Sequence, residues 1–281
     1  MEYYAGLASI ISLSLAILLV WAPQRNAWII AFLFFIASAL YSSWIKPIAL
    51  ISILVFAVII WRSLKTEGDV FRYLLNGLVI ITALVAGIHL APGFDHIHLL
   101  EETRLSENTG WSSLRFSADK PTFGLFLLVA YRDRLCKSYA HFTTALKLSL
   151  PIIVVGMLSV YILGLLLGFV VIDITFSVLV IVWFARNLIF TVIAEELLFR
   201  GFIQQKLQDS ITHKHSNAIA LFVASILFGL VHIYGGWEYG LLATLAGLMY
   251  GYVYMKTGRL EMAFIGHVAL NAGHVMLLSY P

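Results

Sequence analysis

Apolar runs separated by short polar gaps recur along the whole of this 281-residue chain, and they constrain its fold more than any other feature. A helix rises 1.5 Å per residue, so about 20 apolar residues cross a hydrocarbon core of roughly 30 Å. Residues 5–22 and 27–44 meet that length and are joined by the turn Pro23-Gln24-Arg25-Asn26. After Lys46-Pro47, residues 48–61 are short for a full crossing unless Lys46 snorkels to the interface. Residues 73–91 make a fourth run. The second half continues with 148–171, 174–199, 219–233, 241–254 and 262–280; of these nine runs, about eight span or nearly span.

Composition decides what surrounds these helices. Hydrophobic residues make up 61% of the chain and charged residues 12%, against about 45–50% and roughly 25% in a water-soluble domain. Too few polar side chains exist to coat a globule, so lipid is the solvent. The expected fold is all-α, a polytopic transmembrane bundle of about eight helices, multi-pass in the inner or plasma membrane if the chain is bacterial. A net charge of +3 without a clustered basic face gives no reason to expect a nucleic-acid partner. The basic residues sit in the gaps between runs, the usual signature of cytoplasmic loops. No basic residue precedes the run 5–22, so it is expected to remain as a membrane helix rather than a cleaved signal. The single cysteine, Cys136, excludes an intramolecular disulfide and reads as an ordinary loop or interface thiol.

Three regions follow: N-terminal membrane helices over 1–91, a polar and interfacial connection over 92–147, and a denser membrane domain over 148–281. Between residues 92 and 121 the chain carries Asp95, Glu101, Glu102, Arg104, Glu107, Arg115, Asp119 and Lys120. This stretch is expected outside the membrane, with a surface helix as one form for it. Residues 123–131 are apolar but too short to span, which suits a re-entrant or interfacial segment. No internal repeat is evident.

Charges at membrane depth cost about 2.5–3.5 kcal/mol each on insertion scales, so they are rare and usually functional. Glu195, Glu196 and Arg200 fall together in Ala194-Glu195-Glu196-Leu197-Leu198-Phe199-Arg200. At 3.6 residues per turn, Glu196 and Arg200 share a face, whereas Glu195 lies about 140° away from Arg200. The expectation is that Arg200 neutralises Glu196 and leaves Glu195 free. The plain alternative is a solvated interfacial cluster. His232 sits one helical turn after Phe228, where a lone histidine is more often a satisfied core residue. His267 and Asn271 are four apart on the last apolar run, and His274 continues their stripe. Three apolar helices thus offer a carboxylate, an imidazole, and an imidazole with an amide. A carboxylate can take a proton from water, an imidazole can orient that water, and His and Asn donors can hold an oxyanion.

These residues resemble the CPBP family, which includes CAAX-processing endopeptidases of the Rce1 type. The family's EExxxR, FxxxH and HxxxN motifs are matched in order by Glu195-Glu196…Arg200, Phe228…His232 and His267…Asn271. The stretch from Gly247 to Gly258 is similar to the helix and turn before the third motif, and the likeness runs from about Leu148 to the C-terminus. The resemblance implies an intramembrane glutamate protease with no metal or other cofactor, acting on membrane-associated protein substrates. It implies that Glu195 and His232 activate water, that His267 and Asn271 stabilise the oxyanion, and that Glu196, Arg200 and Phe228 shape the site. The tail 274–281 is similar to that of bacterial members linked to sorting of proteins with C-terminal anchors, which turns expectation away from a prenylated substrate. A zinc protease remains open, since Glu195, His232 and His267 are ligand types, although no HExxH is present. So do a transporter using buried Glu and His, and a non-catalytic binding protein. Gly247 and Gly251 form a GxxxG, read as helix packing with dimerisation as the lesser alternative.

Overall fold

The computed structural model describes residues 2–66, 69–103, 112–175 and 178–280. Arg104 and Glu107 of the polar stretch lie outside the described residues. Helices α1 (Glu2–Leu18), α2 (Ala27–Tyr41), α3 (Pro47–Lys65) and α4 (Asp69–Gly87) are each built on one of the first four apolar runs. Pro47 opens α3, where its missing N–H has no intrahelical partner to lose. The helix continues through Arg62 to Lys65, so 19 residues replace the short crossing expected from 48–61.

In the polar stretch the structure has strands instead of a surface helix. β1 (His96–Thr103) pairs with β2 (Ser112–Ser117). The alternation in His96-Ile97-His98-Leu99 has the period of a strand. There follow α5 (Asp119–Ala130), α6 (Tyr139–Leu166), β3 (Val171–Ile172), α7 (Val178–Asn187) and α8 (Ile193–Glu196). The chain ends with α9 (Gln205–Ser210), α10 (Ser216–Leu230), α11 (Trp237–Thr257), α12 (Leu260–Leu277) and β4 (Leu278–Ser279). β3 and β4 pair antiparallel, with Val171 opposite Ser279.

The fold is all-α and polytopic in character. Among the described residues five segments are long and apolar enough to cross a membrane: Tyr4–Trp21, Pro47–Lys65, Val70–Gly87, Tyr139–Leu166 and Leu260–Leu277. Ala27–Tyr41 and Ser216–Leu230 are apolar but shorter. The runs behind those two are clipped by local chemistry, a turn at Ser42–Ser43 and the loop before Gly235-Gly236. Apolar faces point outward at Ile30, Leu33 and Phe34 on α2, at Ile51, Leu54 and Val58 on α3, and at Val155, Leu158 and Ile162 on α6. Such stripes are stable only against an apolar surrounding.

The chain divides into two compact units. The first holds Met1–Glu101, Ser113–Arg132 and Ile189–Leu198. Its centre is α5, packed by α1, α3, α4 and α8. At 12 residues α5 is about 18 Å long, too short to span. Pro121, Thr122, Phe123, Gly124, Leu125, Leu127 and Leu128 are all buried, so the apolar segment expected to be re-entrant or interfacial is an interior helix of this unit. Trp44 is buried beside it and donates its indole N–H to the Phe116 carbonyl at 3.2 Å.

The second unit holds Glu102–Ser112, Asp133–Leu188 and Phe199–Pro281. Here α11 is central, packed by α10, α6 and α12. Small residues let the helices close: a Cβ on Gly247 would lie 3.2 Å from Ser225 Cα, and one on Gly251 would lie 2.6 Å from Leu221 Cδ1. The GxxxG therefore packs α11 within its own chain.

Candidate active site

The helix that carries the two glutamates is not uniformly α. π-helical turns occupy Leu188–Val192 and Leu197–Gln204, with the four residues of α8 between them. A π turn bonds i to i+5 rather than i+4, widens the helix, and recurs at functional sites. The 100° step used to separate Glu195 from Glu196 relative to Arg200 does not hold through Leu197–Gln204. Phase alone no longer says which carboxylate faces which way.

In the first unit Glu195 is not the free carboxylate expected from that phase. Lys120 Nζ lies 2.5 Å from Glu195 Oε1, with side-chain exposures of 13% and 14%. The partner comes from α5, 75 residues away in sequence, where no spacing rule within the helix could show it. Glu196, next in the chain, is fully buried.

In the second unit Arg200 is fully buried. It donates from Nη2 to the Gly247 carbonyl at 2.8 Å. Its guanidinium carbon lies 4.8 Å from the ring centre of Phe228, 5.3 Å from that of Tyr250 and 5.9 Å from that of Phe199. One turn on, Gln204 donates to the Gly251 carbonyl at 3.0 Å. Gly247 and Gly251 thus accept one hydrogen bond each from this π-helical segment, which a side chain at either glycine would obstruct.

Phe228 gathers the histidines. Its ring centre is 4.5 Å from that of His232 and 5.7 Å from that of His267. His267 is buried and stacks on Tyr250 at 4.5 Å with an interplanar angle of 10°. His232 is not within a helix as its run suggested. α10 ends at Leu230, and His232 precedes the 3₁₀ turn Ile233–Gly235. There its Nδ1 lies 2.7 Å from the Phe228 carbonyl. A carbonyl only accepts, so Nδ1 carries the proton. In the neutral ring Nε2 then holds the lone pair. His232 is therefore oriented with its basic nitrogen away from the helix end.

Asn271 donates from Nδ2 to Asn187 Oδ1 at 3.1 Å, across α12 and α7. An amide nitrogen has two hydrogens, so one donor remains to Asn271 beyond this bond. His274, the last polar group of the stripe, has its ring 5.2 Å from that of Tyr280. The structure therefore joins Arg200, Phe228, His232 and His267 around shared rings, and joins Asn271 to Asn187. Glu195 and Glu196 belong to the other unit, with Lys120 beside Glu195. Among the described residues no group of three His, Cys, Asp or Glu is arranged to hold a metal ion.

Lys120, Asn187 and Tyr250 are the polar groups that sequence reading passed over. Asn187 had a signal, being a buried amide in an apolar run, the same rule that marked Asn271. Tyr250 lay within the marked 247–258 stretch without a role. Lys120 had no local signal.

Residues 176–273 match the Rce1-like family, described as type II CAAX prenyl endopeptidase. That segment, well under half of the chain, is similar to the family. It supports intramembrane endopeptidase activity in general and a place in the membrane, and it contains Glu195, Glu196, Arg200, Phe228, His232, His267 and Asn271. Lys120 and His274 lie outside it. No curated protein and no solved structure matches the chain.

Proposed function

We propose that this protein is an intramembrane endopeptidase that cleaves a membrane-anchored or C-terminally processed protein with a water activated by Glu195. As the resemblance implies, the Glu195 carboxylate takes a proton from water, and His232 offers Nε2 as a further acceptor for water activation. The resulting hydroxide adds to the peptide carbonyl. His267 and the second Asn271 hydrogen stabilise the oxyanion, and the proton held by Glu195 passes to the leaving amine. Arg200 and Phe228 hold the imidazoles' surroundings in shape, and Glu196 completes the acidic pair. No cofactor takes part in these steps.

The observation that carries this reading is the pair of imidazoles against Phe228, one with its tautomer set by a carbonyl. His267 is buried among aromatic rings, and such surroundings strengthen hydrogen bonds to a developing charge. The test is Glu195→Gln in the full chain, reconstituted and offered a farnesylated CAAX peptide and a peptide with an uncleaved membrane anchor. Cleavage should vanish with the melting temperature kept, and chelators should leave the wild type active. Activity in Glu195→Gln would remove Glu195 as the base. Chelator inhibition reversed by zinc would replace the mechanism with a metal-assisted one. Comparing C-terminal masses of membrane proteins with and without this chain identifies the substrate.

A further inference from the structure

Lys120 lies outside the Rce1-like segment, yet its ammonium is 2.5 Å from Glu195 Oε1. We propose that Lys120 is a positioning residue that fixes one Glu195 oxygen and keeps the carboxylate ionised, ready to accept a proton. The inference rests on the reading of Glu195 as the base.

The ammonium is delivered by a braced backbone. Asp119, fully buried at the start of α5, accepts three hydrogen bonds on Oδ1, each 2.8 Å long: from His89 Nδ1, Ser117 Oγ and the Lys120 backbone N–H. His89 follows α4 with φ of 60°, a left-handed conformation uncommon outside glycine. Ser117 closes β2. Three segments therefore converge on Asp119 and hold the first turn of α5. One turn further along the same face, Gly124 meets α8: a Cβ placed there would be 2.7 Å from Ala194 Cβ. Ala194 precedes Glu195. The reach of Lys120 is thus set at both ends, by the Asp119 hydrogen bonds and by the contact at Gly124.

The chemistry explains why such bracing is useful. A carboxylate withdrawn from water tends to take up a proton, and a protonated acid cannot accept another from the attacking water. A cation within hydrogen-bonding distance favours the ionised form. The charged and titratable groups at this contact are Lys120, Glu195, the adjacent Glu196, and Asp119 with His89 behind the Lys120 backbone. Helices α3 and α4, which also pack on α5, carry Arg62 and Lys65 in the last turn of α3 and Arg72 in the first turn of α4. Asp119 Oδ1 is engaged by His89, Ser117 and the Lys120 N–H, while the Lys120 ammonium is turned to Glu195.

The experiment reads the charge of Glu195 directly in the full-length protein in liposomes. Subtracting the infrared spectrum of Glu195→Gln from that of the wild type isolates the Glu195 carboxyl band, and its titration gives a midpoint. In Lys120→Met that midpoint should rise by about one unit or more, while Lys120→Arg should stay near the wild type. Gly124→Ala keeps the ammonium but pushes α5 from α8, so it should move the midpoint the same way and decides the matter if Lys120→Met does not fold. On a peptide that is cleaved, Lys120→Met should lower kcat, shift the acid limb of the pH profile upward and spare KM. An unchanged midpoint in the folded variants overturns the inference. A shifted midpoint with Glu195→Gln still active would instead overturn the reading of Glu195 as base and leave the pairing standing.

Discussion

Two cations, Lys120 half-buried in the first unit and Arg200 fully buried in the second, are accommodated by different means. Lys120 in the first unit meets a carboxylate, in a pair whose side chains keep a little exposure. Arg200 in the second is fully buried, lies over three aromatic rings and donates to a backbone carbonyl. The side chains suit these tasks. A lysine ammonium is a compact charge on a flexible stem, whereas a guanidinium is planar, stacks on rings and donates in a fixed fork. The difference separates a tunable charge from a structural one. The pair at Glu195 holds one carboxylate oxygen, while the cage at Arg200 sets where Phe228 and Tyr250 sit, and through them the two histidines.

The strongest way to break that contrast is at Arg200. Arg200→Ala removes the filler between three rings and leaves the Gly247 carbonyl without this donor, which should cost on the order of 3–5 kcal/mol. Melting temperature in detergent should fall along with activity. Arg200→Lys should rescue little, because the stacking and the fork are both lost. Loss of turnover with melting unchanged would make Arg200 a substrate contact and collapse the distinction.

What could be read from sequence follows the same division. The apolar runs that became α1, α4 and α12 were legible because length and composition alone decide membrane helices. By contrast, α3 runs on through Arg62 to Lys65, and α6 begins at Tyr139, within the stretch read as connection. Arg200, His232, His267 and Asn271 were legible because a polar group in an apolar run is expensive and stands out. Partners supplied by another element were not. Lys120 reaches Glu195 across 75 residues, and its own neighbourhood reads as polar loop. The π turns carry no mark in a 3.6-residue phase, whereas Leu197–Gln204 follows a wider period. The strands β1 and β2 were available in the alternation from His96 to Leu99 but were outweighed by the density of charge.

A smaller effect separates the oxyanion reading from mere packing in the second unit. Losing a single oxyanion donor elsewhere costs about 10²–10³-fold in kcat, and Asn271→Ala should fall in that range with KM little changed. Asn187→Ala removes only the acceptor that orients Asn271, so its loss should be smaller and of the same kind. A fall in affinity with turnover spared would make Asn271 a substrate-binding group. Equal melting temperatures across the wild type and both variants are needed for the comparison with Arg200 to hold.

The smallest effect uses the single cysteine to ask how a carboxylate in the second unit acts on a neighbour when its partner is a backbone amide rather than an ammonium. The Cys136 N–H donates to Glu261 Oε1 at 2.7 Å, in the segment before α6. Arg259 binds the same segment, donating to the carbonyls of Leu135 at 3.1 Å and Asp133 at 3.3 Å. The Cys136 thiol is pushed up to about 11, first by burial and then by the charge and hydrogen bond of Glu261, with Arg259 opposing. The sign is clear: the thiolate is the reactive form, so raising the value lowers reactivity at every pH below it. Maleimide labelling of the folded wild type at pH 8 should be roughly a hundredfold slower than that of an ordinary thiol near 8.5. The rate should climb about tenfold per pH unit well beyond the point where a free thiol levels off. Glu261→Gln removes the charge and keeps the shape, so labelling should quicken by several-fold while remaining slower than for a free thiol, because burial persists. An unchanged rate in Glu261→Gln would show that burial alone holds the thiol and that the Glu261 charge does not reach it. A wild-type rate equal to that of a free thiol would mean that the segment carrying Cys136 opens readily, and the Arg259 contacts could not then be holding it.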